Sequence, residues 1–189
     1  MPIKLLGTIA SSYYVIPTSF ESIATVTVGS GGAADIEFTS IPATYSHLQV
    51  RAIARTTTGS SAGADWVYGR INGDTGSNYA QHRLYGYGSG VTTGAGASQS
   101  NFWAGLAPMD NTTASMYGAF VLDILDYANT NKYKTLRVLL GSDRNGAGEM
   151  ILQSNLWMNT NAITSIKLYP EQNNFKQYSH FALYGVKSA

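Results

Sequence analysis

Cleaving a glycosidic bond takes two carboxyl groups facing one another, one to give a proton and one to attack or to activate water. The chain has eleven Asp and Glu residues, and Asp65, Asp123, Glu149 and Glu171 are the acids to consider. Asp123 and Asp126 lie three apart in an apolar run that reads as a strand, which puts them on opposite faces. No second acid is placed by spacing beside Glu149 or Glu171, so no enzyme activity is expected. Asp65, Asn72, Asp74 and Asn78 offer oxygen ligands around a Gly-rich turn, but their spacing is not that of an EF-hand. Bonds from Asx side chains to their own turn backbone account for them more simply. His47, His82 and His180 fall on three separate predicted strands without the close spacing of a zinc site. The glycines from Gly86 to Gly96 follow a strand but open no helix, and a phosphate loop needs that helix N-terminus. No metal and no cofactor are expected.

The residues that remain are built for contact. Trp66, Tyr68 and Arg70 share one face of a predicted strand. Tyr79, Arg83, Tyr85 and Tyr87, with Gln81, share one face of the next. If the two strands pair across the Asn72–Ser77 turn, the rows adjoin. Tyr, Trp and Arg dominate binding hot spots because they combine contact area with a polar tip. These residues are therefore candidates for an inter-subunit interface or a glycan platform, with an ordinary core or sheet face as the plainer reading.

Short alternating segments separated by Gly, Ser, Thr and Asn must position them. The segment 47–55 puts Leu48, Val50, Ala52 and Ala54 on one face and Gln49, Arg51, Ile53 and Arg55 on the other, as in a half-buried antiparallel strand. Segments 22–28 and 34–39, separated by a Gly-Ser-Gly-Gly turn, look like a hairpin. Residues 115–127 form the most hydrophobic, and so central, strand. Residues 56–64, 86–100 and 141–148 read as polar loops, the middle one long and mobile. Roughly ten strands at this spacing predict an all-β antiparallel β-sandwich or jelly roll. Residues 1–20 are expected to form an extended N-terminal arm or edge segment, and 21–189 the sandwich.

Composition narrows the partners. The 189 residues are 44% hydrophobic, enough for a core, and only 12% charged, about half the usual share. The net charge of +1 gives no nucleic-acid footprint. The chain has no cysteine, which rules out disulfides and thiolate sites. No apolar run approaches the roughly 18 residues of a membrane span, and the N-terminus lacks the pattern of a signal peptide.

Three stretches carry a resemblance. They are Phe38-Thr-Ser-Ile-Pro-Ala-Thr-Tyr45-x-His-Leu48-Gln-Val-Arg51, then Arg70-Ile-Asn-Gly-Asp-Thr-Gly-Ser-Asn-Tyr79, then Phe181-Ala-Leu-Tyr-Gly-Val186. Together they resemble small β-rich virion structural proteins of tailed phages, of the head-decoration or tail-fibre type. The resemblance spans most of the chain from about Phe20. It implies a non-enzymatic protein made in the host bacterial cytoplasm and assembled as a homo-oligomer, expected to be a trimer. Its partners would be major capsid or tail proteins, and for a fibre, host-surface glycan.

Overall fold

The period of two seen in the sequence decides which side chains are buried. In residues 47–54 every second side chain is inside, and the same holds for Lys134, Leu136, Val138, Leu140 and Ser142. The computed structural model describes residues 19–61 and 63–187. Among these residues there are twelve strands and no helix. They are β1 (Phe20–Thr27), β2 (Ile36–Phe38), β3 (His47–Ala54), β4 (Ala64–Ile71), β5 (Tyr79–Tyr87) and β6 (Gly90–Gln99), followed by β7 (Phe102–Pro108), β8 (Gly118–Leu125), β9 (Lys134–Asp143), β10 (Gly148–Trp157), β11 (Ile166–Pro170) and β12 (His180–Val186).

The strands form two antiparallel sheets of unequal size, a β-sandwich. The large sheet has eight strands in the order β1-β12-β3-β8-β9-β10-β5-β6. The small one has four, in the order β2-β11-β4-β7. Between them lie Leu48, Val50, Phe120, Leu122, Ile124, Leu136, Val138 and Trp157 from the large sheet. Ile36, Phe38, Val67, Ile71, Phe102, Ile166 and Leu168 meet them from the small one. Each such side chain contributes roughly 1.5–3 kcal/mol by leaving water. At the centre the packing leaves no slack: a Cβ on Gly69 would lie 2.2 Å from Cζ of Phe102, so that glycine gives the ring its place.

Several pairings differ from the sequence expectation. The segments read as a first hairpin belong to different sheets. β1 pairs with β12, and β2 with β11. Val28 instead bonds the Ser179 carbonyl, and Ala33 bridges to Phe175, so the intervening turn carries the chain across the sandwich. β4 and β5 are likewise in different sheets, and the Asn72–Ser77 turn is a crossover, not a hairpin. The stretch 86–100 is not a long loop. A two-residue turn at Gly88-Ser89, with Gly88 at φ +52°, leads into β6, which pairs with β5 along its length. Its glycines read as turn residues, but a neighbouring strand satisfies their backbone without any side-chain packing. Likewise half of 141–148 is strand, leaving Arg144–Ala147 as the turn. Arg55, expected on the wet face, is buried, and its guanidinium donates to the carbonyls of Asp110, Thr112, Thr113 and Met116. The proposed N-terminal arm, apart from Ser19 and Phe20, lies outside the described residues.

Candidate functional site

In β4, Val67, Gly69 and Ile71 point into the sandwich, so Trp66, Tyr68 and Arg70 stand half-buried on the outer face of the small sheet. The strands beside it bring Tyr169 and Trp103 level with Tyr68. The rings form one band. Trp66 and Trp103 have centroids 4.4 Å apart, Tyr68 and Trp103 6.0 Å, and Tyr68 and Tyr169 6.1 Å. Arg70 lies over Tyr169 at 5.1 Å. The Glu171 carboxylate accepts from the Tyr68 hydroxyl at 2.9 Å. Burial, with that carboxylate beside it, pushes the Tyr68 phenol far up, so it stays a neutral donor.

The other end of the band is closed from the opposite sheet. Arg83 of β5 reaches past the edge strand β7 and places its guanidinium 4.4 Å from the Trp103 ring and 5.9 Å from Trp66. A Cβ on Gly94 of β6 would sit 2.7 Å from the Arg83 guanidinium carbon, so the bare strand makes room for the cation. Trp103 is fastened through its backbone. The Asn155 side chain accepts from its N–H at 3.3 Å and donates to its carbonyl at 3.1 Å, and Gln153 donates to that carbonyl at 3.4 Å. A β-bulge between Val67 and Tyr68 on one side and Gly105 and Trp103 on the other frees those groups from the ladder. Neither Arg70 nor Arg83 lies in an ion pair among the described residues. A fixed row of π-faces flanked by two such guanidinium groups suits a flat, hydroxylated or anionic ligand.

The sequence candidates therefore divide. Trp66, Tyr68, Arg70 and Arg83 come together, across a sheet edge and not across a hairpin. Tyr79 is in the core, its hydroxyl bonded to the crossover turn. Tyr85 and Tyr87 stack on each other at 5.2 Å beyond the band, with Tyr87 half-exposed. Their end of β5 and the β9–β10 turn line an open groove, which brings two of the Gly-rich segments together. Trp103 and Tyr169 carry no such signal in the sequence. Trp103 sits in a short run of apolar residues that gives no clear alternation, and Tyr169 precedes a proline that reads as a strand end.

A second surface was not anticipated. On the outer face of the large sheet, Leu84, Leu152, Leu139 and Val121 stand side by side on four adjacent strands. The next row holds Val91, Met150, Ala119 and Ile53, separated by Gly86 and Gly141. Val91 is 72%, Met150 68%, Leu139 56% and Leu152 54% exposed. Ordinary strand alternation puts polar residues here, and one row further along it does: His82, Ser154, Arg137, Asp123 and Gln49.

The acids are occupied elsewhere. Each of the eleven carboxylates has a bonding partner. Asp110 pairs with Lys176, Asp126 with Lys132, Glu149 with Arg144 and Glu21 with Lys187. Lys167 lies between Asp35 and Glu37, Asp123 meets Gln49 and Arg137, and Asp143 caps Asn145. Of the four acids considered from sequence, Asp65 and Glu171 lie near enough for one carboxylate to be felt by the other. Asp65 is only 1% exposed, bonded to Thr58, and its carboxyl is pushed up by that burial. Asp65, Asn72, Asp74 and Asn78 do not converge on one point. Asn72 caps residues 162–165, while Asp74 binds Asn78, Gly76 and Trp157. Among the described residues no three His, Asp or Glu side chains gather as metal ligands. No family model matches the chain, and no curated protein or solved structure matches it.

Proposed function

We propose that this chain is a non-enzymatic structural protein of a tailed-phage virion, acting as a capsid decoration protein. The observation that carries this reading is the apolar outer face of the eight-stranded sheet. Soluble monomers rarely expose large contiguous apolar patches, and where they do the patch marks an interaction site, which a many-copy assembly supplies. Leu84, Leu139 and Leu152 are each about half exposed, so covering them recovers roughly 1 kcal/mol apiece. The engagement of every carboxylate in a structural bond supports the non-enzymatic part of the proposal. The resemblance of residues 38–51, 70–79 and 181–186 to phage virion proteins supplies the setting.

The aromatic band favours a second reading, a tail-fibre or baseplate protein that holds host-surface glycan against Trp66, Tyr68, Trp103 and Tyr169. Immunogold labelling of virions separates the two. Label over the head is expected, and it should be lost when Leu139→Glu and Leu152→Glu are combined. Label at the tail selects the fibre reading, and particles without label refute both.

A further inference from the structure

Two open sheets have four edge strands, and a free edge offers unpaired N–H and C=O groups to any passing strand. Folded proteins blunt such edges with short strands, bulges, charges or a cover. Three of the four are blunted here. β2 is only three residues long. β7 carries a bulge, and side chains of Gln153 and Asn155 occupy its backbone at Trp103. β1 is bulged between Ser22 and Ala24 and bears Glu21, which is paired with Lys187.

Among the described residues the fourth edge is bare. β6 runs for ten residues, Gly90–Gln99, and holds no proline and no charge. The nearest charged residues in the sequence are Arg83 and Asp110. Its irregularity is confined to the far end, near Ser98 (φ +54°), and pairing with β5 is regular from Gly90 to Gly96. Along that stretch alternate residues direct N–H and C=O away from β5. The side chains add no obstacle. Gly90, Thr92, Gly94 and Gly96 share one face, and Val91, Thr93 and Ala95 the other.

From this contrast we infer that β6 is the seam where two copies of this chain join, edge to edge and antiparallel about a two-fold axis, making one continuous sheet of sixteen strands. Self-pairing suits this strand because no residue of its own is charged, the Arg83 guanidinium over Gly94 being held toward Trp103 and Trp66. Centred on Thr93, the pairing sets Val91 opposite the partner's Ala95, Thr92 opposite the partner's Gly94 and Gly90 opposite the partner's Gly96. Thr93 then faces its own counterpart. Thr93 lies in the row of Leu84, Leu152 and Leu139, and Val91 in the row of Met150. The Leu84 row therefore continues across the seam through the two threonines, while the Val91 row meets the partner's Ala95 and, beyond it, the polar row that begins at His82. β1 is excluded as the complementary edge by its bulge and its ion pair. The three-fold assembly expected from sequence needs a second and different contact, for which the apolar face remains available.

The absence of cysteine allows a clean test on the purified full chain. Residues directly opposite across such a seam have Cβ atoms roughly 4.5–5.5 Å apart, near disulfide reach. Light scattering should give the wild type a mass that is an even multiple of 20.2 kDa. Thr93→Lys, at an exposed position, should halve that mass or reduce it to the monomer while circular dichroism stays unchanged. Thr93→Cys should cross-link on oxidation into a two-chain species, and Thr25→Cys on β1 should not. A monomeric wild type overturns the inference. So does a mass that Thr93→Lys leaves intact, or a cross-link through Thr25→Cys in place of Thr93→Cys. The result is independent of the virion reading, since particles unlabelled by antibody can coexist with a β6 dimer, and labelled particles with a monomer.

Discussion

Tyr79 belongs to the contact row by sequence and to the core by structure, and Tyr79→Phe measures the difference. The hydroxyl accepts from the Ile71 N–H at 3.0 Å and donates to the Asp74 carbonyl at 3.2 Å, tying the crossover turn to the strand that leaves it. Its removal strands a buried N–H and a carbonyl, a loss of about 2 kcal/mol near neutral pH. Alkali adds a second signature. Burial pushes the phenol up to about 12, from an ordinary value of 10.0. The fold thus prefers the neutral form. That part of its stability is complete below pH 10 and disappears as pH rises from 10 through 12. Two pH units are worth roughly 3 kcal/mol at the top of the range, and about 1.4 kcal/mol has gone by about pH 11. The phenylalanine variant has no such group to titrate. The gap between the two proteins, about 2 kcal/mol at about pH 8, should shrink to less than half by about pH 11. Urea unfolding followed by tryptophan fluorescence reads both values. A gap constant over that range refutes the burial argument, and no gap at about pH 8 refutes the core placement itself.

Two further outcomes test the packing around the same crossover. Gly69→Ala sets a methyl against Phe102 where 2.2 Å is available, so calorimetry should show a loss of about 2 kcal/mol and a midpoint lower by several degrees. Asp74→Asn probes acid stability. Burial raises this carboxyl, but bonds from Trp157, Asn78 and the Gly76 N–H outweigh it and hold the group below the ordinary 3.8. Its contribution is present above 3.8 and is lost as pH falls through the lowered value, so the acid unfolding curve of the variant should be shallower there.

The all-β class, the antiparallel sandwich and most strand positions could be read from the period of two and from the turn residues. Leu48, Val50, Ala52 and Ala54 are inside, as their alternation requires. Pairing could not be read in the same way, because a turn such as Gly29–Gly32 or Asn72–Ser77 looks alike whether it closes a hairpin or crosses between sheets. β6 was hidden by composition. Glycine marks turns in isolation, yet beside Arg83 it marks a strand whose missing side chains accommodate a neighbour's. The aromatic band was half legible. Faces were assigned correctly for Trp66, Tyr68 and Arg70, but Trp103 and Tyr169 join them through strands far apart in sequence. The exposed leucines could not be told from core leucines, because Leu139 and Leu140 differ only in which face of the sheet they meet.

The place of β12 between β1 and β3 governs when the protein can fold. As the chain leaves the ribosome, β1 emerges ahead of the other described strands and its hydrogen-bonding partner after them. Until Val186 is synthesised, the large sheet can assemble only from β3 onward, with one flank of β3 open and Phe181 and Leu183 missing from the core. Throughout the interval between synthesis of β1 and of β12, nascent chains carry an unprotected strand. Synthesis rate and chaperone supply therefore bear on the yield of this protein as directly as its final stability does.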